Sequence, residues 1–181
     1  MARFFISDLH IDDDRFYIFN RPFNSLKEQQ QVLIDNWNNN IKEDDEVWFL
    51  GDFAVTDEGV EFASLLNGQK HLIVGNYDEP RLDLLSKYFL TIQDNKNLLL
   101  SNNEVVYLNH YPGSCSSSKF SLCGHIHGTW KVQRNMINVG LDAWNYKLVP
   151  EENIKHLYNA IKNYFDANVF AGELESNKKT C

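Results

Sequence analysis

Five short apolar runs in this chain each stop at a small polar cluster that contains Asp, Asn or His. Arg3 to Ser7 stops at Asp8-Leu9-His10, Val47 to Leu50 at Gly51-Asp52, and His71 to Val74 at Gly75-Asn76. Val105 to Leu108 stops at Asn109-His110, and Phe120 to Cys123 at Gly124-His125-Ile126-His127. Such runs, rich in β-branched and aromatic residues and bounded by Gly and Asn, read as buried strands. In open α/β sheets a ligand sits in the crevice beyond the carboxyl ends of the strands, so residues a hundred positions apart have a physical reason to meet there. His10, His110, His125 and His127 all follow strand ends. His71 begins its strand, the wrong end for such a site, and His156 lies in a later helix.

The segments between these runs complete an α/β chain. Ser25-Leu26-Lys27-Glu28 has the form of a capping box, in which a serine oxygen and a glutamate side chain satisfy free amides at a helix start. Leu26, Leu33, Trp37 and Ile41 then recur at helical spacing, predicting a helix of about four turns. Glu58 to Leu66 and Glu79 to Tyr88 also read as helices, and Glu151 to Phe165 as an amphipathic closing helix behind Pro150. Leu90 to Gln93, Leu98 to Ser101 and Val105 to Leu108 are parted by Asn-rich turns and predict an antiparallel meander. Asp12 to Asn24 has no period and reads as a long loop. Met136 to Val139 is a further strand. A single domain is expected over residues 1–170, followed by a polar tail, 171–181, expected to be disordered.

Composition narrows the function classes. The chain has 181 residues and a formal charge of -8, which disfavours salt-driven association with long nucleic acid. Cations bound among its carboxylates would reverse the potential locally, so a small phosphorylated ligand stays compatible with that charge. No apolar run approaches the roughly 18 to 20 residues of a membrane span, and the first residues lack a signal-peptide core; a cytoplasmic protein with no membrane contact is expected. Cys115, Cys123 and Cys181 lack metal-finger spacing and are odd in number, which fits reduced thiols.

Taken singly, the polar clusters are weak signals: Asp8-Leu9-His10 can be a solvated turn, Asn76 a turn residue, and His110 a core histidine satisfied by a carbonyl. His125-Ile126-His127 between glycines is stronger, because alternate residues of extended chain face opposite ways and only a turn lets both imidazoles reach one site. The ordered set Asp-x-His, Gly-Asp, Gly-Asn-x-Asp, His, Gly-His-x-His resembles the calcineurin-like metallophosphoesterase superfamily. Asn20 to Phe23, Asp45 to Phe53, His110 to Pro112 and Asn138 to Trp144 resemble a small stand-alone branch found in bacteria and phages. The resemblance implies a four-layer α/β/β/α sandwich of two mixed sheets flanked by helices. It also implies that Asp8, His10, Asp52 and His127 hold one divalent metal ion while Asp52, Asn76, His110 and His125 hold a second, with Asp52 bridging. Manganese is the leading ion, with iron, zinc and nickel compatible with the same imidazole, carboxylate and amide donors. The implied activity is phosphoester hydrolysis, a metal-bridging hydroxide attacking phosphorus in line.

One position departs from the family pattern. Where the family commonly has Gly-Asn-His-Asp, this chain has Gly75-Asn76-Tyr77-Asp78. A phenol donates a hydrogen bond at neutral pH but is a poorer proton donor than an imidazolium. Tyr77 either lines the pocket as a weak donor, which favours phosphodiesters and cyclic phosphates, or is a packing residue. Asp52, Asn76, Tyr77 and Asp78 are thus the candidate catalytic residues. Arg21, Asp142 and Trp144 are candidates for substrate binding: Arg21 as a phosphate clamp or a solvated cation, Trp144 as a base-stacking ring or a core cap. Phosphomonoester hydrolysis, with a nucleotide among the substrates, and a non-catalytic binding platform are the alternatives.

Overall fold

The computed structural model describes residues 1–115 and 118–164. The predicted 171–181 tail and the last predicted residue of the closing helix, Phe165, lie outside them. In chain order the elements are β1 (Arg3–Ile6), α1 (Phe16–Phe19), α2 (Leu26–Asn38), β2 (Glu46–Phe49), α3 (Asp57–Val60), β3 (Gln69–Ile73), α4 (Leu82–Leu85) and β4 (Thr91–Gln93). They continue with β5 (Asn95–Leu99), β6 (Val105–Asn109), β7 (Ser121–Cys123), β8 (Val132–Gln133), β9 (Met136–Asn138), β10 (Val149–Pro150) and α5 (Glu151–Tyr164).

These elements form two five-stranded mixed sheets, ordered β10-β1-β2-β3-β4 and β5-β6-β7-β9-β8. β1 to β4 run parallel, as do β6, β7 and β9; β10 joins the first sheet antiparallel to β1, and β5 and β8 flank the second sheet antiparallel to β6 and β9. Strands covered on both faces are apolar without strict alternation, which is the pattern β1 to β3 show. Successive residues go to different cores. Ile6, Val47, Phe49 and Leu72 join Leu33 and Trp37 of α2 in one cluster. Phe5, Trp48 and Ile73 share the other with Val106, Leu108, Leu122 and Ile137 of the second sheet, and Ile154, Leu157, Tyr158 and Ile161 of α5 pack against it.

The serine arm of the predicted capping box forms, while the glutamate arm reaches one residue past the cap. Ser25 Oγ accepts from the Glu28 amide at 3.2 Å, and the Glu28 carboxylate accepts from the Asn24 amide at 2.8 Å. Leu33 and Trp37 are buried, each contributing about 1.5–3 kcal/mol of apolar transfer. The helix ends before Ile41, which is buried from the following turn. Helix is also present where the sequence reads as loop, since α1 is too short to display a period.

The predicted meander is overturned. β4 lies parallel to β3, pairing His71 with Thr91, while β5 starts the other sheet, so only β5 and β6 form a hairpin. Local turn signals identify a hairpin's two arms but do not say which sheet edge the preceding strand joins. Among the described residues no helix is long and apolar enough to cross a membrane.

Candidate functional site

The parallel strands bring their carboxyl ends to one place. A parallel bridge pairs Ser7, just after β1, with Gly140, just after β9. The Asp8 carboxylate accepts from the His125 amide at 3.0 and 3.1 Å, joining the first strand end to the seventh. Around this junction two groups assemble, Asp8 with His10 and His127, and Asp52 with His110 and His125, the ligating atoms of each lying within 4.8 Å of one another. One carboxylate oxygen links the groups: Asp52 Oδ2 is 3.5 Å from His10 Nε2 and 3.3 Å from His110 Nε2.

The backbone is strained where these side chains leave it. Asp8, His10, Asp52, His125 and His127 all have φ between 48° and 72°, in the left-handed region that residues other than Gly seldom occupy. The strand-end segments also approach one another closely at glycines. A Cβ on Gly75 would meet the Asp52 carboxylate and lie 2.7 Å from the Asp52 backbone nitrogen, and one on Gly124 would collide with the Ser7 side chain. Such strain persists only where the surroundings over-determine it, and it clusters at functional sites.

Electrostatics mark the same place. Burial raises the Asp8 carboxyl to about 6. It drives His10 down to about 3, so that imidazole is neutral at physiological pH. Both ring nitrogens of His10 are buried without a hydrogen-bond partner. Burial opposes ionisation of Asp52 as well, yet the neighbouring His110 holds its carboxyl below the usual range. A neutral buried imidazole with two unsatisfied nitrogens beside an ionised carboxylate is a donor set in want of an acceptor; a divalent cation meets that need.

Other residues fix the rings. His110 Nδ1 lies 2.7 Å from the Leu50 carbonyl, and His127 Nδ1 is 2.7 Å from Asp142 Oδ2, so each Nε2 is free to face the site. Histidines that ligate metals are commonly oriented through their second nitrogen in this way. Asn138 holds the turn that carries His125 and His127, donating to the His127 and Trp130 carbonyls and accepting from Gly140. Phe19 of α1 stacks on His127 at 4.2 Å between ring centroids.

The three candidates for substrate binding all make contacts within the protein. The Arg21 side chain is fully buried. It grips both oxygens of Asp142 at 2.8 and 3.0 Å and donates to the Leu9 and Asp8 carbonyls, which uses its donors on the protein itself. Asp142, buried between Arg21 and His127, positions the ring. Trp144 donates from Nε1 to the Asn138 carbonyl, carries Lys131 over its ring and packs against the second core, so it caps that core. Sequence alone could not separate these roles, because burial distinguishes a clamp on substrate from a clamp on protein.

The remaining candidates lie on the loop after β3. Asp78 is buried and accepts from the Asp52, Phe53 and Gly75 amides at 2.8, 2.9 and 2.8 Å, which pins two strand-end loops together. Burial lifts its carboxyl to about 6. Asn76 is exposed at the loop tip. Tyr77 donates its amide to Asp52 Oδ1 at 2.9 Å, and its ring stands edge-on to His10 at 4.8 Å. Its hydroxyl accepts from Arg15 at 3.0 Å. Arg15 and its partner Asp13 were missed; Asp13 sits in an acidic run that gives no periodic or motif signal.

No family model matches the chain. An uncharacterized protein of Methanocaldococcus jannaschii, MJ1445, is 31% identical over 160 residues, covering 81% of this chain and 85% of its own length. The gene 66 protein of Mycobacterium phage L5 is 26% identical over 195 residues, covering 87% of this chain and 94% of its own. The crystal structure of a protein of unknown function from Aquifex aeolicus, AQ665, matches with a TM-score of 0.67 at 24% identity, covering 86% of this chain and 98% of that one, a likeness of fold. Identity at this level across most of both sequences means that this chain belongs to the family of the Methanocaldococcus jannaschii protein.

Proposed function

We propose that this protein is a cytoplasmic, dinuclear-metal-dependent phosphoester hydrolase, that phosphodiesters or cyclic phosphates are its favoured substrates, and that its two sheets form the calcineurin-like four-layer sandwich. The observation that carries the reading is the single Asp52 oxygen held between His10 and His110, the point where two three-residue donor groups meet. Asp8, His10, Asp52 and His127 would hold one cation, and Asp52, Asn76, His110 and His125 the other. Imidazole, carboxylate and amide donors without thiolate suit manganese, iron, zinc or nickel alike, and manganese is the ion proposed. When bound, two such cations supply Lewis acidity toward a water and toward the phosphoryl oxygens.

The chain's own groups do the rest. Neutral His10 offers a lone pair without first losing a proton. Asp142 and Leu50 hold His127 and His110 in fixed tautomers. Asp78 keeps the Asp52 and Asn76 loops at one separation by tying the Asp52 and Gly75 amides together. Tyr77 reaches the site in the position where the family commonly has an acid histidine; a phenol gives weak assistance to a departing oxygen, which favours esters whose leaving groups depart easily.

The test combines metal analysis with assays of p-nitrophenyl phosphate and its bis ester, for the wild type and Asp52→Asn. Two equivalents of divalent metal and bis-ester cleavage that Asp52→Asn abolishes are expected. A dimetal protein that cleaves no phosphoester would instead be a binding platform.

A further inference from the structure

The loop between β1 and α2 carries two arginines with opposite surroundings. Arg21 is sealed inside. Arg15 has a side chain 42% exposed and stands at the mouth of the site. Its Nε and Nη2 bind both oxygens of Asp13 at 2.8 and 2.6 Å, and Nη2 also reaches the Tyr77 hydroxyl at 3.0 Å. Asp13 in turn lies 3.8 Å from His10 Nδ1. Among the described residues Nη1 of Arg15 has no partner, so two N–H groups of an ionised guanidinium remain to be used.

The bond to Tyr77 has a directional consequence. Guanidinium only donates, so it occupies a lone pair of the phenolic oxygen and leaves the phenolic hydrogen for another acceptor. The Tyr77 ring stands edge-on to His10 and its amide is tied to Asp52, which places that hydroxyl at the rim of the donor groups. Asp13, buried and bidentate, holds the guanidinium plane still. Asp142, from the segment after β9, uses the same fork on Arg21, so the loop's two arginines make the same pairing, one turned inward and one outward.

We propose that Arg15 and Tyr77 form a single substrate-contacting pair, in which Arg15 Nη1 and the Tyr77 hydroxyl donate to oxygens of one bound phosphate group. The pair rests on the phosphoester reading and adds a recognition element to it. An oxyanion there would receive one charge-assisted and one neutral hydrogen bond without displacing any protein contact. Asp13 neutralises part of the arginine charge, so the pair suits a phosphodiester's single charge better than a dianion.

Arg15→Gln and Tyr77→Phe test this in the manganese-loaded protein, with bis(p-nitrophenyl) phosphate as substrate and inorganic phosphate as competing ligand. Each variant should raise KM and the phosphate dissociation constant by about tenfold, a loss of one charge-assisted or well-placed hydrogen bond, with metal content unchanged; kcat should change less than KM in Arg15→Gln, whereas Tyr77→Phe also removes the assistance to the departing oxygen and should lower kcat as well. The double variant should be little worse than either single one, because the groups act as a unit. Arg15→Lys should recover only part of the loss, since it keeps the charge without the fork. KM and phosphate affinity within about twofold of wild type in Arg15→Gln would overturn the pair while leaving the hydrolase intact. A wild type that neither cleaves the ester nor binds phosphate would overturn the phosphoester reading itself. Should Arg15→Gln lose metal or melt early, Tyr77→Phe decides in the same terms, because it leaves the Asp13–Arg15 pair whole.

Discussion

At the amino end of the first sheet, Arg3 binds Glu46 at 2.6 Å and Glu151 at 2.7 Å and donates to the Leu99 carbonyl, while Asp45 accepts from the Ala2 and Lys42 amides. At the carboxyl end of the same strands, His10 keeps two buried nitrogens unpaired, and five residues, His10 among them, hold left-handed backbone. A buried unsatisfied polar atom costs roughly 1–3 kcal/mol and each left-handed residue about 1–2 kcal/mol more. One end is therefore arranged to stabilise the fold and the other to hold groups in unfavourable states. Breaking each end should have a different signature.

The largest effect is expected at the shared carboxylate. Asp52→Asn should lower bis-ester hydrolysis by more than roughly a hundredfold and reduce bound metal, with far-ultraviolet circular dichroism unchanged. Next comes the ring support: Asp142→Asn weakens the hold on His127 and should reduce manganese affinity by about ten- to a hundredfold, measured by titration calorimetry. Retained affinity would mean that His127 is oriented by its stack on Phe19 alone.

A pH experiment sharpens the contrast. Asp8 is raised from 3.8 to about 6 by burial, so in metal-free protein its contribution is fully present below pH 3.8 and is lost as pH rises through about 6. The stability of metal-free wild type relative to Asp8→Asn should accordingly fall by about 1–3 kcal/mol between pH 4 and 7, read from urea midpoints. A flat difference would show that Asp8 is not strained by burial. The smallest effect belongs to the amino end. Arg3→Met should cost about 1 kcal/mol of stability, because its pairs are partly exposed, and leave kcat and KM unchanged.

Much of this architecture is written locally. The Ser25 cap, the Leu33 and Trp37 stripe and the apolar runs of β1, β2 and β3 depend on neighbours in sequence, and they form where the spacing predicts. The site's members are legible for a related reason: each follows directly on a strand, and parallel strands carry their ends to a common edge. The placement of β4 is not legible, since strand pairing is decided by which edge is open once the other strands have docked.

The sequence by itself determined that Asp8, His10, Asp52, His110, His125 and His127 gather, and that they gather at strand ends. Only the tertiary structure decided how they are held. It made Asp52 the link between two groups, sealed Arg21 onto Asp142 and turned Arg15 outward to Tyr77. These distinctions rest on burial and on distances between residues far apart in the chain. An arginine's five donors bind protein or substrate according to what lies within about 3 Å, and no spacing along a sequence records that.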